Sequence, residues 1–198
     1  MSTWPETLHE DNLDWRLPSR GQVEMYCLIS AEAAIFTIFV VAYLFYIGKN
    51  LSGPKPKDVL HAPIFFTVCL LSSSFTVHVA VRRLAAGNMA AFARYWSLTI
   101  LLGGLFLFGT AREWVHLIYH DGLTIDTNLF GTTYYSLVGL HAFHVTMGLL
   151  ALSTVVLFYF AGLLRREHAE RLEILSLYWH FVDAVWVVVF LVVYVIGV

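Results

Sequence analysis

The sequence predicts an all-α membrane protein, a polytopic bundle of five transmembrane helices. Apolar residues make up 59% of the chain, charged residues only 13%, and the mean hydropathy is +0.71. A soluble protein of 198 residues could not bury this much apolar surface, so most of the chain must be surrounded by lipid. The apolar residues also fall into five long runs, each long enough to cross a bilayer as a helix.

The five spans follow one another with little chain between them. A helix needs about 20 predominantly apolar residues to cross the hydrocarbon core. The predicted spans, in chain order, are Val23–Ile47, His61–Ala85, Phe92–Tyr119, Thr132–Leu164 and Leu172–Gly197. Short segments rich in glycine, proline and charge separate them: SGPKPKD, AAGN, DGLTIDTN and RREHAER. Because these loops are short, neighbouring helices should run mostly antiparallel in one domain over residues 23–197.

The distribution of Lys and Arg predicts which way the bundle faces. Positive residues in short loops favour the cytoplasmic side. One side carries eight of them, in the N-terminal segment and the second and fourth loops, whereas the other side carries three, Lys49, Lys55 and Lys57. This places the N-terminus inside and the C-terminus outside, with residues 1–22 as an N-terminal cytoplasmic segment. The net charge of −2 and the lack of a dense basic patch do not suggest a nucleic-acid partner.

Two His-containing pairs repeat the same helical spacing inside the predicted spans. His141 and His144 lie at i and i+3 in the fourth helix, and His180 and Asp183 repeat that spacing in the fifth. The predicted topology places the two pairs at different depths, so a shared four-residue metal cluster is not expected. Interhelical hydrogen bonds are the commoner use of such groups in membranes. We expect His180 to bond a neighbouring ring and Asp183 to fix its tautomer.

Two acids also fall within the spans, where ionisable groups are costly and indicate function. Glu32, in LISAEAAIF, is a proton-linked node in one interpretation and a neutral structural acid bonded to a neighbouring helix in the other. Glu113, in TAREWVHL, has Arg or His candidates on other helices and His116 one turn along its own. The alternative for this segment is an interfacial helix end with snorkelling side chains. The residues show no catalytic, metal or cofactor-binding pattern, so a self-sufficient active site is not expected.

The last two predicted helices carry a specific family resemblance. YWHFVDAVWVVVFLVVYVIG resembles the final helix of subunit III of the haem–copper oxidases, the cytochrome c and quinol oxidase family. LFGTTYYSLVGLHAFHVTMGLL resembles the helix before it, and LISAEAAIFTIFVVAY the helix with the family's buried acid, at Glu32. Similar segments occur in all five helices in order, over roughly residues 22–197, as in the family's short five-helix form.

The resemblance implies a subunit without redox centres of its own. Haem and copper would lie in partner subunits, chiefly subunit I, with subunit II and a small subunit IV as further partners and a respiratory supercomplex as a further context. This chain would stabilise subunit I, hold phospholipid, and support proton uptake and oxygen access in aerobic respiration at the cell membrane. His180 and Asp183 would be interhelical struts, with Trp179 and Trp186 packed around them.

Two other functions are compatible with the same residues. One is the homologous accessory subunit of a nitric oxide reductase, which has similar motifs. The other is a stand-alone transporter that uses the buried acids, although the inverted repeats typical of such proteins are not apparent.

Overall fold

The computed structural model describes residues 18–49, 54, 56–60 and 62–197. These residues form helices and loops, with no β-strand among them. The helices are α1 (Arg20–Tyr46), α2 (Pro56–Val59), α3 (Ile64–Ala85), α4 (Met89–Tyr119), α5 (Leu129–Phe160) and α6 (Ala169–Phe190). A 3₁₀ turn, Arg166–His168, precedes α6, and a π-helical turn, Leu191–Ile196, continues it. Most of the predicted N-terminal segment, residues 1–17, lies outside the described residues.

The five predicted spans are confirmed as α1, α3, α4, α5 and α6, each long and apolar enough to cross a membrane. The starts of α4 and α5 each lie three residues before the predicted ones. The reason is polar capping: the Asn88 side chain accepts a hydrogen bond from Ala91 N at 3.0 Å, and that of Asn128 from Gly131 N at 2.8 Å. An N-cap side chain satisfies an otherwise unpaired backbone N–H and so sets where a helix begins.

Tight glycine turns connect two of the helix pairs. Gly87, after α3, has φ of +80°, and Gly162, after α5, has φ of +70°. Glycine adopts this left-handed conformation without the steric penalty of a Cβ. The turn after α3 is closed by hydrogen bonds from Gly87 N to Leu84 O and from Asn88 N to Arg83 O. The chain can therefore reverse within a few residues, which places α3 against α4.

Helices α3 to α6 form the packed part of the bundle, and α1 lies at its edge against α5 and α6. Three tryptophans, Trp96, Trp179 and Trp186, are among the largest fully buried side chains. Of the 27 residues of α1, only Phe36 and Tyr43 are buried. The bundle therefore leaves most of α1 outside its own core.

Candidate functional site

Three hydrogen-bonded polar clusters join helices within the bundle. The carboxyl–imidazole pair consists of Glu32 on α1 and His144 on α5. The serine-linked cluster consists of Ser74 on α3 with His180 and Asp183 on α6. The carboxyl–phenol cluster consists of Glu113 on α4, Tyr134 on α5 and Tyr194 in the π-helical turn. Every polar residue predicted as an interhelical node therefore bonds a different element than its own, with one exception among the described residues, His141.

The carboxyl–imidazole pair is arranged to hold a proton between two helices. His144 Nε2 lies 3.0 Å from Glu32 Oε2, and His144 Nδ1 lies 2.7 Å from Leu140 O. A backbone carbonyl only accepts, so Nδ1 must carry a hydrogen. Nε2 then either accepts from a protonated Glu32 or donates to its carboxylate. In both arrangements one proton lies between the acid and the ring, in a site where the His144 side chain is 8% exposed and that of Glu32 24%.

His141 does not join His144 in that pair, despite the i, i+3 spacing. Its ring stacks on the indole of Trp186 with 4.9 Å between centroids, and it packs in a T-shaped arrangement with the Phe106 ring at 5.7 Å between centroids. The side chain is fully buried, and neither ring nitrogen has a hydrogen-bond partner among the described residues. His141 therefore acts as a packing element here. It was predicted to be a hydrogen-bonding node, but its observed contacts are ring contacts only.

The serine-linked cluster places a hydroxyl between His180 and Asp183. Ser74 donates its proton to Asp183 Oδ2. His180 Nδ1 lies 3.0 Å from Ser74 Oγ and must be the donor in that contact, because the single hydroxyl proton is already used. The expectation that Asp183 fixes the His180 tautomer directly is therefore wrong. The serine from α3 lies between them, and Asp183 is only 3% exposed.

Hydroxyl groups of α3 also accept hydrogen bonds from Trp179 and Trp186, the two tryptophans of α6 that were predicted to pack around the cluster. Trp179 Nε1 donates to Ser73 Oγ at 2.8 Å, and Trp186 Nε1 donates to Thr67 Oγ1 at 3.1 Å. The indole rings thus combine apolar packing with a satisfied polar edge, as buried Trp requires. Sequence reasoning did not identify these α3 residues as partners; the only signal was the Ser/Thr-rich character of LLSSSFT, which contains Ser73 but not Thr67.

Glu113 is bound by two phenols. Tyr194 Oη donates to Glu113 Oε1 at 2.8 Å, and Tyr134 Oη lies 3.3 Å from the same oxygen. The predicted Arg or His partners are therefore wrong. His116 instead lies 3.8 Å from Asp121. The tyrosines were missed because their hydroxyl groups reach the acid from two other elements, which spacing along one helix does not reveal.

No hydrogen bond among the described residues joins the side chains of one cluster to those of another. Across the part of the chain that the structure describes, no group of three or more His, Cys, Asp or Glu is arranged to hold a metal ion. The arrangement supports two kinds of chemistry, namely fixing helices through buried hydrogen bonds and holding a proton at the Glu32–His144 pair.

Comparison with known proteins identifies the family. The family model described as "Cytochrome c oxidase subunit III" matches residues 24–198. Cytochrome c oxidase subunit 3 of Corynebacterium diphtheriae is 36% identical over 90% of this chain and 89% of its own length. The same subunit of Bacillus subtilis is 31% identical over 87% of this chain and 84% of its own length. Quinol oxidase subunit 3 of Bacillus subtilis is 28% identical over 87% of this chain and 85% of its own length.

These matches run through nearly the whole five-helix bundle. With five spans and relatives of this kind, the protein is a multi-pass protein of the cell membrane. Its curated relatives are named as third subunits of cytochrome c and quinol oxidases. The chain belongs to the cytochrome c oxidase subunit III family.

Proposed function

We propose that this chain is a non-catalytic core subunit of a proton-pumping haem–copper oxidase and that it packs against subunit I. Haem and copper lie in the partner subunits, where dioxygen is reduced. This subunit stabilises subunit I, holds phospholipid, and supports proton uptake and oxygen access. The N-terminus lies on the cytoplasmic side, as the excess of Lys and Arg on that side favours.

The observation that carries this proposal is the placement of Glu32. Helix α1 exposes most of its apolar surface, including Ile38 at 68% and Val41 at 58%, yet it holds the acid of the carboxyl–imidazole pair. A helix with this much exposed apolar surface is suited to contact lipid or another membrane subunit. Its partly buried acid, in turn, lies where a proton can be held next to that contact.

A groove beside the Glu32–His144 pair supports the proposed roles in oxygen access and in holding phospholipid. The groove has a volume of about 200 Å³ and runs between α1 and α6. Phe36, Val40, Val185 and Val189 are among the residues that line it. Its lining is almost wholly apolar, so a nonpolar molecule can occupy it without desolvating polar groups. Phe36 also lies 5.0 Å from the His144 ring, which puts the groove next to the pair.

The test compares the oxidase with and without this chain. Complexes are purified from cells that carry or lack the gene, and oxygen uptake is followed over repeated turnovers. We expect the complex without the chain to lose activity in fewer turnovers, and Glu32→Ala to shorten the active lifetime in the same direction. The matched control is Glu24→Ala, an exposed acid on the same helix, which should leave it unchanged. An unchanged lifetime without the chain would refute the supporting role.

A further inference from the structure

A cleft with polar residues on its rim lies between the start of α3 and the last turns of α4, and neither Glu32 nor His144 lines it. Its volume is about 380 Å³. The residues that matter for its chemistry are Pro63, Phe66 and Leu117, which are apolar, and Arg112, Glu113 and His116, which are polar. The cleft therefore combines an apolar groove with groups of both charge types.

Glu113 lines this cleft, and two phenols hold its carboxyl group in place. Its Oε1 accepts from Tyr194 and is also contacted by Tyr134, which fixes the carboxyl group from two other elements. The hydrogen bonds of Glu113 among the described residues all go to Oε1, and Oε2 is not one of the buried side-chain atoms left without a partner, so Oε2 is accessible. An acid that two phenols position, with its second oxygen reachable from a cleft, is suited to accept a hydrogen bond from a ligand.

Arg112 supplies an unpaired cation at the same cleft. Its side chain is exposed, and it makes no ion pair with any residue in the described ranges. Adjacent residues of a helix point about 100° apart, so Arg112 and Glu113 do not neutralise each other. His116 is a weaker candidate, because it already lies 3.8 Å from Asp121. Among the described residues that line the cleft, the unpaired groups are thus the Arg112 guanidinium and the second carboxyl oxygen of Glu113.

The depth of this pair corresponds to the lipid headgroups. Helix α4 has 31 residues and is about 46 Å long at 1.5 Å per residue, about 16 Å longer than the hydrocarbon core. Arg112 lies seven residues from the end of α4, about 10 Å along the axis. If the excess is shared equally, Arg112 and Glu113 lie near the boundary between acyl chains and headgroups. A ligand at this depth is an amphiphile of the bilayer.

We propose that this cleft binds a zwitterionic phospholipid with a primary ammonium group, of the phosphatidylethanolamine class. The lipid phosphate pairs with Arg112, the ammonium donates to Glu113 Oε2, and an acyl chain lies along Phe66 and Leu117. A choline headgroup has no N–H to donate to Oε2, and a phosphoglycerol headgroup has no positive charge. The inference deepens the lipid-holding part of the proposed function by naming a site and a headgroup.

The experiment uses the whole oxidase complex, stripped of exchangeable lipid in mild detergent. It is titrated with phosphatidylethanolamine or phosphatidylcholine of identical acyl chains, and bound lipids are counted by native mass spectrometry. We expect one site with about tenfold tighter binding of phosphatidylethanolamine, the size of one charge-assisted hydrogen bond. Arg112→Gln should weaken binding of both lipids, whereas Glu113→Gln should remove most of the preference between them. The control Arg94→Gln changes an exposed arginine near the other end of α4 and should change nothing.

Equal binding of the two lipids by the wild type, or the same preference in all variants, would overturn the inference. So would a structure of the complex in which a neighbouring subunit fills the cleft. Total lipid phosphorus and turnover lifetime are measured on the same samples. Should these depend on the chain while the cleft variants bind as wild type, the assigned site fails and the proposed function stands.

Discussion

Two adjacent glycines of α4 give a sharp test of how the bundle packs. A Cβ added at Gly103 would lie 2.9 Å from Trp179 Cη2 and 2.9 Å from Leu149 Cδ2, whereas one added at Gly104 would meet nothing within 4 Å. The indole of Trp179 has little freedom to move away. Its Nε1 is bonded to Ser73 at 2.8 Å. Its opposite edge would also lie 2.8 Å from a Cβ at Gly148.

The magnitude follows from comparing the two alanine variants. Alanine in place of glycine favours a helix by about 1 kcal/mol, and this gain is common to Gly103→Ala and Gly104→Ala. Only Gly103→Ala adds a methyl group to a filled site, which costs about 1–3 kcal/mol. The difference between the two variants therefore isolates the overpacking cost. We expect Gly104→Ala to be neutral or stabilising and Gly103→Ala to be less stable than it by about 1–3 kcal/mol.

The assay is thermal unfolding of the purified complex, followed through this subunit. At about 2–4 °C per kcal/mol, the two variants should differ in Tm by several degrees. Combining Gly103→Ala with Trp179→Leu should shrink the difference, because the ring that the new methyl group meets is gone. Equal Tm values for the two alanine variants, or no relief in the double variant, would refute the packing described for Trp179.

Three further predictions concern the polar groups. Glu32→Gln should preserve complex yield better than Glu32→Ala, because an amide still bonds His144; equal yields would contradict this. Asp183→Asn should assemble better than Asp183→Leu, since only the amide keeps an acceptor for Ser74; the difference should be about 0.6–1.7 kcal/mol, and unaltered yield in Asp183→Leu would exclude it. Trp186→Phe should lower the Tm by leaving a buried hydroxyl of α3 unpaired; an unchanged Tm would mean that this bond adds nothing.

The bundle itself could be predicted because lipid imposes a simple rule. Backbone groups in the hydrocarbon must be satisfied within each span, so long apolar runs must form helices, as α1, α3, α4, α5 and α6 do. Helix starts were less predictable. Asn88 and Asn128 each lie at the end of a polar loop and cap a helix, and that helix begins before the apolar run from which the span was predicted. The four-residue α2 was not predicted. It starts at Pro56, a residue well suited to a first helical position.

The acids and histidines of the clusters were recognisable, but their partners were not. Ser74 and Thr67 bond α6, whereas Ser30 and Thr37 bond only the carbonyls one turn earlier on their own helix. Residue type does not distinguish these uses, because a helical hydroxyl can bond its own backbone or a neighbouring helix. The choice depends on which face meets another helix.

His141 shows that helical spacing alone does not predict which neighbour a side chain contacts. Its spacing from His144 placed the two rings on nearby faces of α5, yet one bonds Glu32 and the other stacks on Trp186. A rotation of 300° over three residues leaves about 60° between the side chains. That angle is enough to point them at different neighbours, α1 for His144 and α6 for His141.

The most direct measurement is purification through an affinity tag on this chain in mild detergent, with a reduced-minus-oxidised spectrum of what copurifies. We predict haem bands at fixed stoichiometry with the tagged chain and cyanide-sensitive oxygen uptake. Haem with nitric oxide reduction and no oxygen uptake would instead assign the chain to a nitric oxide reductase complex. A haem-free preparation, together with in-membrane crosslinking that finds no haem protein beside the chain, would contradict the proposed role in a haem–copper oxidase.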